Sequence, residues 1–306
     1  MQVPDGRSEE WKACPLLSAG NMPRAAVIPV NYRTPDASPA TIAREVDYVM
    51  QVAHGYVSWI AGATGQPPAL SVVQGLDILE LGPGPSLGPA VVLACGGARV
   101  VVSDRFATRW HDPYHRAVFQ ALIPRVEAWR PGSTEPMVRL LQTGSFVPEV
   151  VQVRECAAED LTRLPGGSAD IVLSNAVLEH LADVPRALSG LAHVTRPGGL
   201  GLHQVDFRDH RDFTRPLEYL TMAAREFKAL FAERMGECGN RWRPSRVTEV
   251  FEAAGFHVRS AHGNMQADPE YVAGIKVRLH PDVLPMSEPD LSTLSVFYVV
   301  ERRAQA

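Results

Sequence analysis

Glu80-Leu81-Gly82-Pro83-Gly84-Pro85-Ser86-Leu87-Gly88 closes a short apolar run that begins at Leu76. A run of that length stopping in glycine and proline predicts a strand that ends at a turn. Beyond the turn, Ser86 is placed to cap a helix through Leu87, Ala90, Val91, Val92 and Leu93, and Gly96-Gly97 ends that helix before a second strand, Arg99 to Ser103. A right-handed crossover of this kind brings Leu81 and Ser103 to the same carboxyl edge of a parallel sheet, where ligands of such sheets bind.

Outward from this unit the alternation continues. Val150 to Val153 and Asp170 to Leu173 predict a third and fourth strand, Val184 to Val194 a helix, Arg196-Pro197-Gly198-Gly199 a turn, and Leu200 to Val205 a fifth strand. Arg246 to Ala254 reads as a helix, Phe256 to Val258 as the start of a strand, and Leu291 to Val300 as a closing strand rich in β-branched and aromatic residues. Residues 113–129 form another expected helix. Upstream, residues 1–39 are proline-rich and irregular, but Ile42, Val46, Val49, Met50, Val52, Ala53, Val57 and Ile60 recur at helical spacing. The expected organisation is an amino-terminal helical extension or lid over 1–70 and an α/β domain over 71–306, interrupted by loop insertions at 206–244 and 263–290.

The chain has 306 residues, 45% of them hydrophobic, enough for a substantial core. Thirty Lys and Arg against 34 Asp and Glu give a net charge of -4, which provides no reason to expect nucleic acid or an anionic membrane as partner. Cys14, Cys95, Cys156 and Cys238 lack paired spacing and are expected to be thiols. Without a signal-like segment or an apolar run of spanning length, the expectation is a cytoplasmic protein with a small-molecule partner; oligomeric state is left open.

Two cofactor chemistries compete for the glycine-rich turn. A dinucleotide site uses G-x-G-x-x-G, whereas here the third glycine falls one position late, at Gly88, and Glu80 would repel a pyrophosphate. A carboxylate at Glu80 can instead accept from an ammonium, which a methionine tail has. With its acidic-x-Gly-x-Gly pattern at Glu80, Gly82 and Gly84, the sequence resembles the class I S-adenosylmethionine-dependent methyltransferases, roughly from Leu76 to Val205. Ser86 departs from the pattern, because many members have a third glycine there.

The resemblance implies a doubly wound mixed seven-stranded sheet of Rossmann-like methyltransferase type, with order 3-2-1-4-5-7-6, strand seven antiparallel and added helical cap elements. It also implies S-adenosylmethionine as cofactor, with S-adenosylhomocysteine as product. Asp104, 22 residues after Gly82, matches the acid that bonds the ribose hydroxyls, followed by Arg105. Asp160 matches the carboxylate near the adenine amino group, with Ala158 or Leu161 beside it, and Asn175 falls at the methionine side of the pocket. Asp170 to His180 and Arg196 to Gly199 resemble the fourth strand and the turn before the fifth in small-molecule members.

For the acceptor, His210 is the first choice of base, with Asp206, Asp209 and Asp212 near enough to orient an imidazole, and His203 is the second; the alternative for His203 is a buried, hydrogen-bonded structural role. No metal is expected, because this His/Asp-rich stretch lacks the spacing of a cage. Arg208, Arg241 and Arg243, with Arg211, Arg215 and Arg246, either solvate the insertion or bind a carboxylate or phosphate on the acceptor. His180 either packs a helix start or faces the pocket. Trp110, Tyr114 and Phe119 could shape an aromatic pocket, and Tyr56 and Trp59 could complete a lid. The expected function is methylation of a hydroxyl on a small metabolite, a sugar or a phenol. The rivals are N- or C-methylation, a nicotinamide-dependent oxidoreductase, and a non-catalytic protein that binds the methyl donor.

Overall fold

The computed structural model describes residues 36–230 and 239–304. Cys14, Cys238, most of the proline-rich stretch before Thr41 and part of the 206–244 insertion therefore lie outside the described residues.

Five strands run parallel: β1 (Asp77–Leu81), β2 (Arg99–Asp104), β3 (Gln152–Glu155), β4 (Ala169–Asn175) and β5 (Thr195–Asp206). With β6 (Phe256–Gln266) and β7 (Thr293–Arg302) they form one sheet of order β3-β2-β1-β4-β5-β7-β6, in which β7 is antiparallel to both its neighbours. This is the expected order. All five residues of β1 are buried because a central parallel strand is covered on both faces.

Side chains alternate between two cores, as the strand period requires. Ile78, Val100, Val102, Ile171 and Leu173 pack against α1 (Pro39–Thr64), α2 (Gly88–Cys95), α3 (Tyr114–Trp129) and α4 (Glu135–Thr143). Leu79, Leu81, Val101 and Val172 pack on the opposite face, against α5 (Val184–Val194) and α7 (Pro244–Ala253). The α1 helix starts at Ser38, whose side chain accepts from the Thr41 amide, and stops at Gly65 in the left-handed region. Its apolar stripe belongs to the same core as the sheet, so it is built into the domain, not laid over it.

The two insertions fold against each other. Leu217, Tyr219 and Leu220, the short helix α6 (Ala224–Phe227), α8 (Pro269–Lys276) and the residues around α9 (Glu288–Ser292) share a third apolar cluster. The second insertion is shorter than expected, because β6 continues three residues past 263, to Gln266, before leaving the sheet. Ser86 also differs from expectation. The helix after the glycine turn begins at Gly88, with Leu87 left-handed at its cap, and the Ser86 hydroxyl accepts from the Gly88 amide at 3.1 Å. No helix among the described residues is long and apolar enough to cross a membrane.

Candidate active site

The carboxyl ends of β1, β2, β4 and β5 meet at the point where the chain reverses its direction of travel across the sheet, between β1 and β4. A cleft of about 730 Å³ opens there. Its lining comes from the β1 end and the following turn (Glu80 to Ser86), the β2 end (Ser103 to Arg105), the segment after β3 (Ala157 to Glu159), the β4 end (Asn175 to Val177), and Asp206, His210 and Phe213 beyond β5. Helix α1 covers one side with Glu45, Tyr48, Val52 and Tyr56.

Glu80 is the most constrained group in this lining. Its side chain is buried, Oε1 accepts from the Tyr56 hydroxyl at 3.0 Å, and Oε2 has no hydrogen-bond partner among the described residues. Desolvation pushes the carboxyl up to about 7, against which the Tyr56 hydrogen bond acts. A buried acceptor oxygen without a donor, on the wall of a cleft, fits a cationic donor from a ligand. Gly82 follows with φ +61, and a Cβ there would stand 2.6 Å from the Val177 Cγ2, so the turn can adopt this path only with glycine.

The glycine turn is held from behind. The His111 amide donates to Nδ1 of His115 at 2.8 Å, which leaves Nε2 of the neutral ring to donate to the Pro85 carbonyl at 2.9 Å. Burial lowers the His115 pKa and favours that neutral ring. The Thr108 hydroxyl donates to the Gly84 carbonyl at 3.3 Å. Asp104 lines the cleft with its Oδ1 accepting from the Phe106 amide at 2.9 Å, and Arg105 lies beside it.

Of the residues expected for the cofactor, Glu80, Gly82, Gly84, Ser86, Asp104, Arg105 and Asn175 share this one lining. Asp160 does not. Its Oδ1 accepts from Arg186 at 2.6 Å, and Leu161 is buried in the core, while Ala158 and Glu159 take the cleft position.

The acceptor candidates separate sharply. His210 lines the cleft, with Nε2 3.7 Å from Oδ2 of Asp206 and its ring 5.1 Å from that of His180, which also lines it. His203 points to the other side of the sheet. It is fully buried, Nδ1 lies 2.8 Å from the Ser174 hydroxyl, and its ring stacks on Phe251 of α7. Burial pushes it down to about 3, so it stays neutral in the core and cannot reach an acceptor.

Arg208 grips Asp206 through Nε and Nη2, at 2.9 and 2.6 Å, and lies over the Phe213 ring. Arg241 donates to the Met222 carbonyl, and Arg243 is buried among the carbonyls of Phe207, Asp290 and Thr293. Neither lines the cleft. Tyr56 does, but as the buried partner of Glu80 and not as a mobile cover. Trp59 stacks on Phe297 at 3.8 Å, Tyr114 is buried, and Trp110 and Phe119 stack together 5.8 Å apart, so the expected aromatic pocket is core packing.

Glu45, Tyr48 and Phe213 are cleft residues without a counterpart in the sequence reading, and Val52, expected only as part of the apolar helical pattern, also lines the cleft. On α1 the signal was available: positions 45, 48, 52 and 56 form one stripe at helical spacing beside the fully apolar one. Phe213 carried no signal, since loop spacing does not fix direction. Among the described residues, no group of three or more His, Cys, Asp or Glu is placed to hold a metal ion.

The mixed seven-stranded sheet with flanking helices is consistent with a Rossmann-like methyltransferase fold. A family model described as a methyltransferase domain matches residues 133–202, a segment that includes β3, β4 and α5 but not the glycine turn. No curated protein sequence matches the chain. Among solved structures, an S-adenosylmethionine-dependent methyltransferase from Mesorhizobium loti is 17% identical, covering 75% of this chain and 92% of that one, with a TM-score of 0.45. The CurJ carbon methyltransferase is 10% identical, covering 76% of this chain, with a TM-score of 0.39; the match spans 50% of that longer chain. The SpnF cyclase is 13% identical, covering 83% and 82%, with a TM-score of 0.43. Likeness at this level says nothing of the reaction, because one fold hosts many chemistries.

Proposed function

We propose that the protein transfers a methyl group from S-adenosylmethionine to a hydroxyl of a small acceptor. The observation that carries this reading is the shared cleft: the unpartnered, buried Oε2 of Glu80 lies in the same lining as the His210 imidazole beside Asp206.

When bound, the methyl donor supplies a methyl on a positively charged sulfur and leaves as S-adenosylhomocysteine. Glu80 would accept from its ammonium, the backbone of Gly82 to Gly84 would border its tail, Asp104 would accept from the ribose hydroxyls, and Ala158 and Glu159 would flank the adenine. Position supplies much of the rate in an in-line displacement, and the strand ends hold these groups on a rigid edge. At the other end of the cleft, His210 takes the hydroxyl proton as the oxygen forms its new bond to carbon, and Asp206 stabilises the resulting imidazolium.

The test is incubation with isotopically labelled methyl donor and a metabolite pool, with mass spectrometry of the labelled atom. Label on oxygen is expected; label on nitrogen or carbon refutes the proposal. His210→Ala should lower kcat by roughly 100- to 10,000-fold. His203→Asn should leave kcat within about threefold once allowance is made for unfolded protein, because that ring lies on the far side of the sheet. Calorimetry with S-adenosylhomocysteine and NAD addresses the rival oxidoreductase, which requires NAD to bind.

A further inference from the structure

We propose that the acceptor half of the cleft is a site for an uncharged phenolic ring, held against Tyr48 and Phe213 with its hydroxyl at His210; this rests on the hydroxyl-methylation reading above. Both rings are unusual in being large, apolar and open to solvent inside a concave site, at 52% exposure for Tyr48 and 56% for Phe213. They come from elements on different sides of the cleft, α1 and the segment after β5.

Each ring is already fixed. The Asn175 amide donates to the Tyr48 oxygen at 3.1 Å, tying that ring to the end of β4. Phe213 lies 4.3 Å from the Arg208 guanidinium, itself clamped on Asp206, and 5.8 Å from the His210 ring. Aromatic side chains held open and preorganised favour a flat apolar ligand, which loses little freedom on stacking.

Charge selects further. Among the described lining residues, carboxyl groups at Glu45, Glu80, Asp104, Glu159 and Asp206 face a single guanidinium, Arg105, which sits beside the expected ribose site. The arginines of the insertion, which could have clamped an anion, are engaged within the protein: Arg208 by Asp206, Arg211 by Asp209, Arg241 by a carbonyl and Arg243 by three. An acceptor bearing carboxylate or phosphate would meet like charge with no fork to receive it.

The base points the same way. The Arg208 side chain holds Asp206 through three hydrogen bonds, and His210 Nε2 stands 3.7 Å from the same carboxylate. An imidazole takes the proton of a phenol, at about 10, far more readily than that of an aliphatic hydroxyl, which is held nearly as tightly as that of water at about 15.7.

The experiment uses three matched probes, 2-naphthol, 6-hydroxy-2-naphthoate and decahydro-2-naphthol. Binding is measured by calorimetry with and without saturating S-adenosylhomocysteine, and transfer with labelled donor. 2-Naphthol is expected to bind at least about tenfold more tightly than either of the others. Phe213→Leu and Tyr48→Leu should each weaken it about tenfold, and Phe213→Tyr should restore it, with S-adenosylhomocysteine affinity kept as the check on folding. Equal or tighter binding of the carboxylate or the saturated alcohol overturns the proposal, as does naphthol affinity unchanged in both leucine variants. Selective naphthol binding with no label on oxygen supports the aromatic site and refutes hydroxyl transfer, whereas label on the saturated alcohol in preference to naphthol does the reverse.

Discussion

The Tyr56 hydroxyl, on the amino-terminal helix, donates to Glu80 Oε1 at 3.0 Å from a fully buried position, and so ties α1 to the floor of the cleft. In Tyr56→Phe the carboxyl would lose the hydrogen bond that holds its pKa down, and would be left with two unpartnered buried oxygens. Stability should fall by about 1–3 kcal/mol, and S-adenosylhomocysteine affinity at pH 7 should fall as well, because more of the carboxyl would be protonated when the ammonium arrives. Urea denaturation and calorimetry check both; an unchanged midpoint with unchanged affinity would remove Tyr56 from the site.

Glu80 also makes a prediction about pH. Its carboxyl sits at about 7 in the folded protein against an ordinary 4.5, so between those values the folded chain holds a proton that the unfolded chain has released. Its contribution to stability therefore declines as pH rises from 4.5 to about 7, by roughly 3 kcal/mol, and is level above that. Glu80→Gln should abolish this slope, so the stability difference between variant and parent should grow across that window. Donor binding runs the other way: affinity for S-adenosylhomocysteine should rise with pH to a plateau near 7 in the parent and stay flat in Glu80→Gln. A parallel pair of binding curves would show that the carboxyl does not meet the ammonium.

The parts of this fold that are legible from sequence are those where local pattern and tertiary demand coincide. Val184 to Val194 is found with its expected bounds because Asp183 caps it and Pro185 suits its first turn. The carboxylates at Glu80 and Asp104 could be placed because strands in a parallel sheet deliver their ends to one edge. By contrast, Val150 and Val151 are buried and read as strand, yet pairing with β2 begins only at Gln152, opposite Val101. Helix α4 escaped notice because only Met137 and Leu140 of its nine residues are buried, too few to show a period. The directions of Arg243 and Phe213 could not be read, since in an insertion the neighbours that decide them are distant in sequence: Asp290 and Thr293 turn Arg243 inward, and Arg208 holds Phe213 in the cleft.

Packing of α1 on α2 depends on the absence of a side chain at Gly88. A Cβ there would stand 2.3 Å from Cγ2 and 2.8 Å from Cγ1 of the fully buried Val49. Gly88→Ala should cost about 1–3 kcal/mol by overpacking, and Val49→Ala alone about 2 kcal/mol through the cavity it leaves. In the double variant the new methyl occupies that space, so its cost should be smaller than the sum of the two. Additive losses in chemical denaturation would mean the helices adjust elsewhere.

Arg243 tests whether the insertion arginines belong to the scaffold or to the substrate. Its Nε and Nη2 donate to the Asp290 carbonyl at 2.9 and 2.7 Å, Nη1 to the Phe207 carbonyl at 2.7 Å and the Tyr219 oxygen at 3.0 Å, and Nη2 to the Thr293 carbonyl at 2.6 Å. One planar cation thus joins the ends of both insertions to β7. Methionine has similar length but no donors, and Arg243→Met would take this donor from the Asp290 and Thr293 carbonyls and leave the Phe207 carbonyl with the Tyr219 hydroxyl alone, at a cost upward of about 3 kcal/mol. Arg241 makes one such bond, to the Met222 carbonyl, and lies over Phe227, so Arg241→Met should cost only about 1 kcal/mol. At a temperature where both variants are folded, KM for acceptor should be unaltered in each. A stable Arg243→Met protein with a raised KM would return that residue to the acceptor site and undo its assignment as a staple.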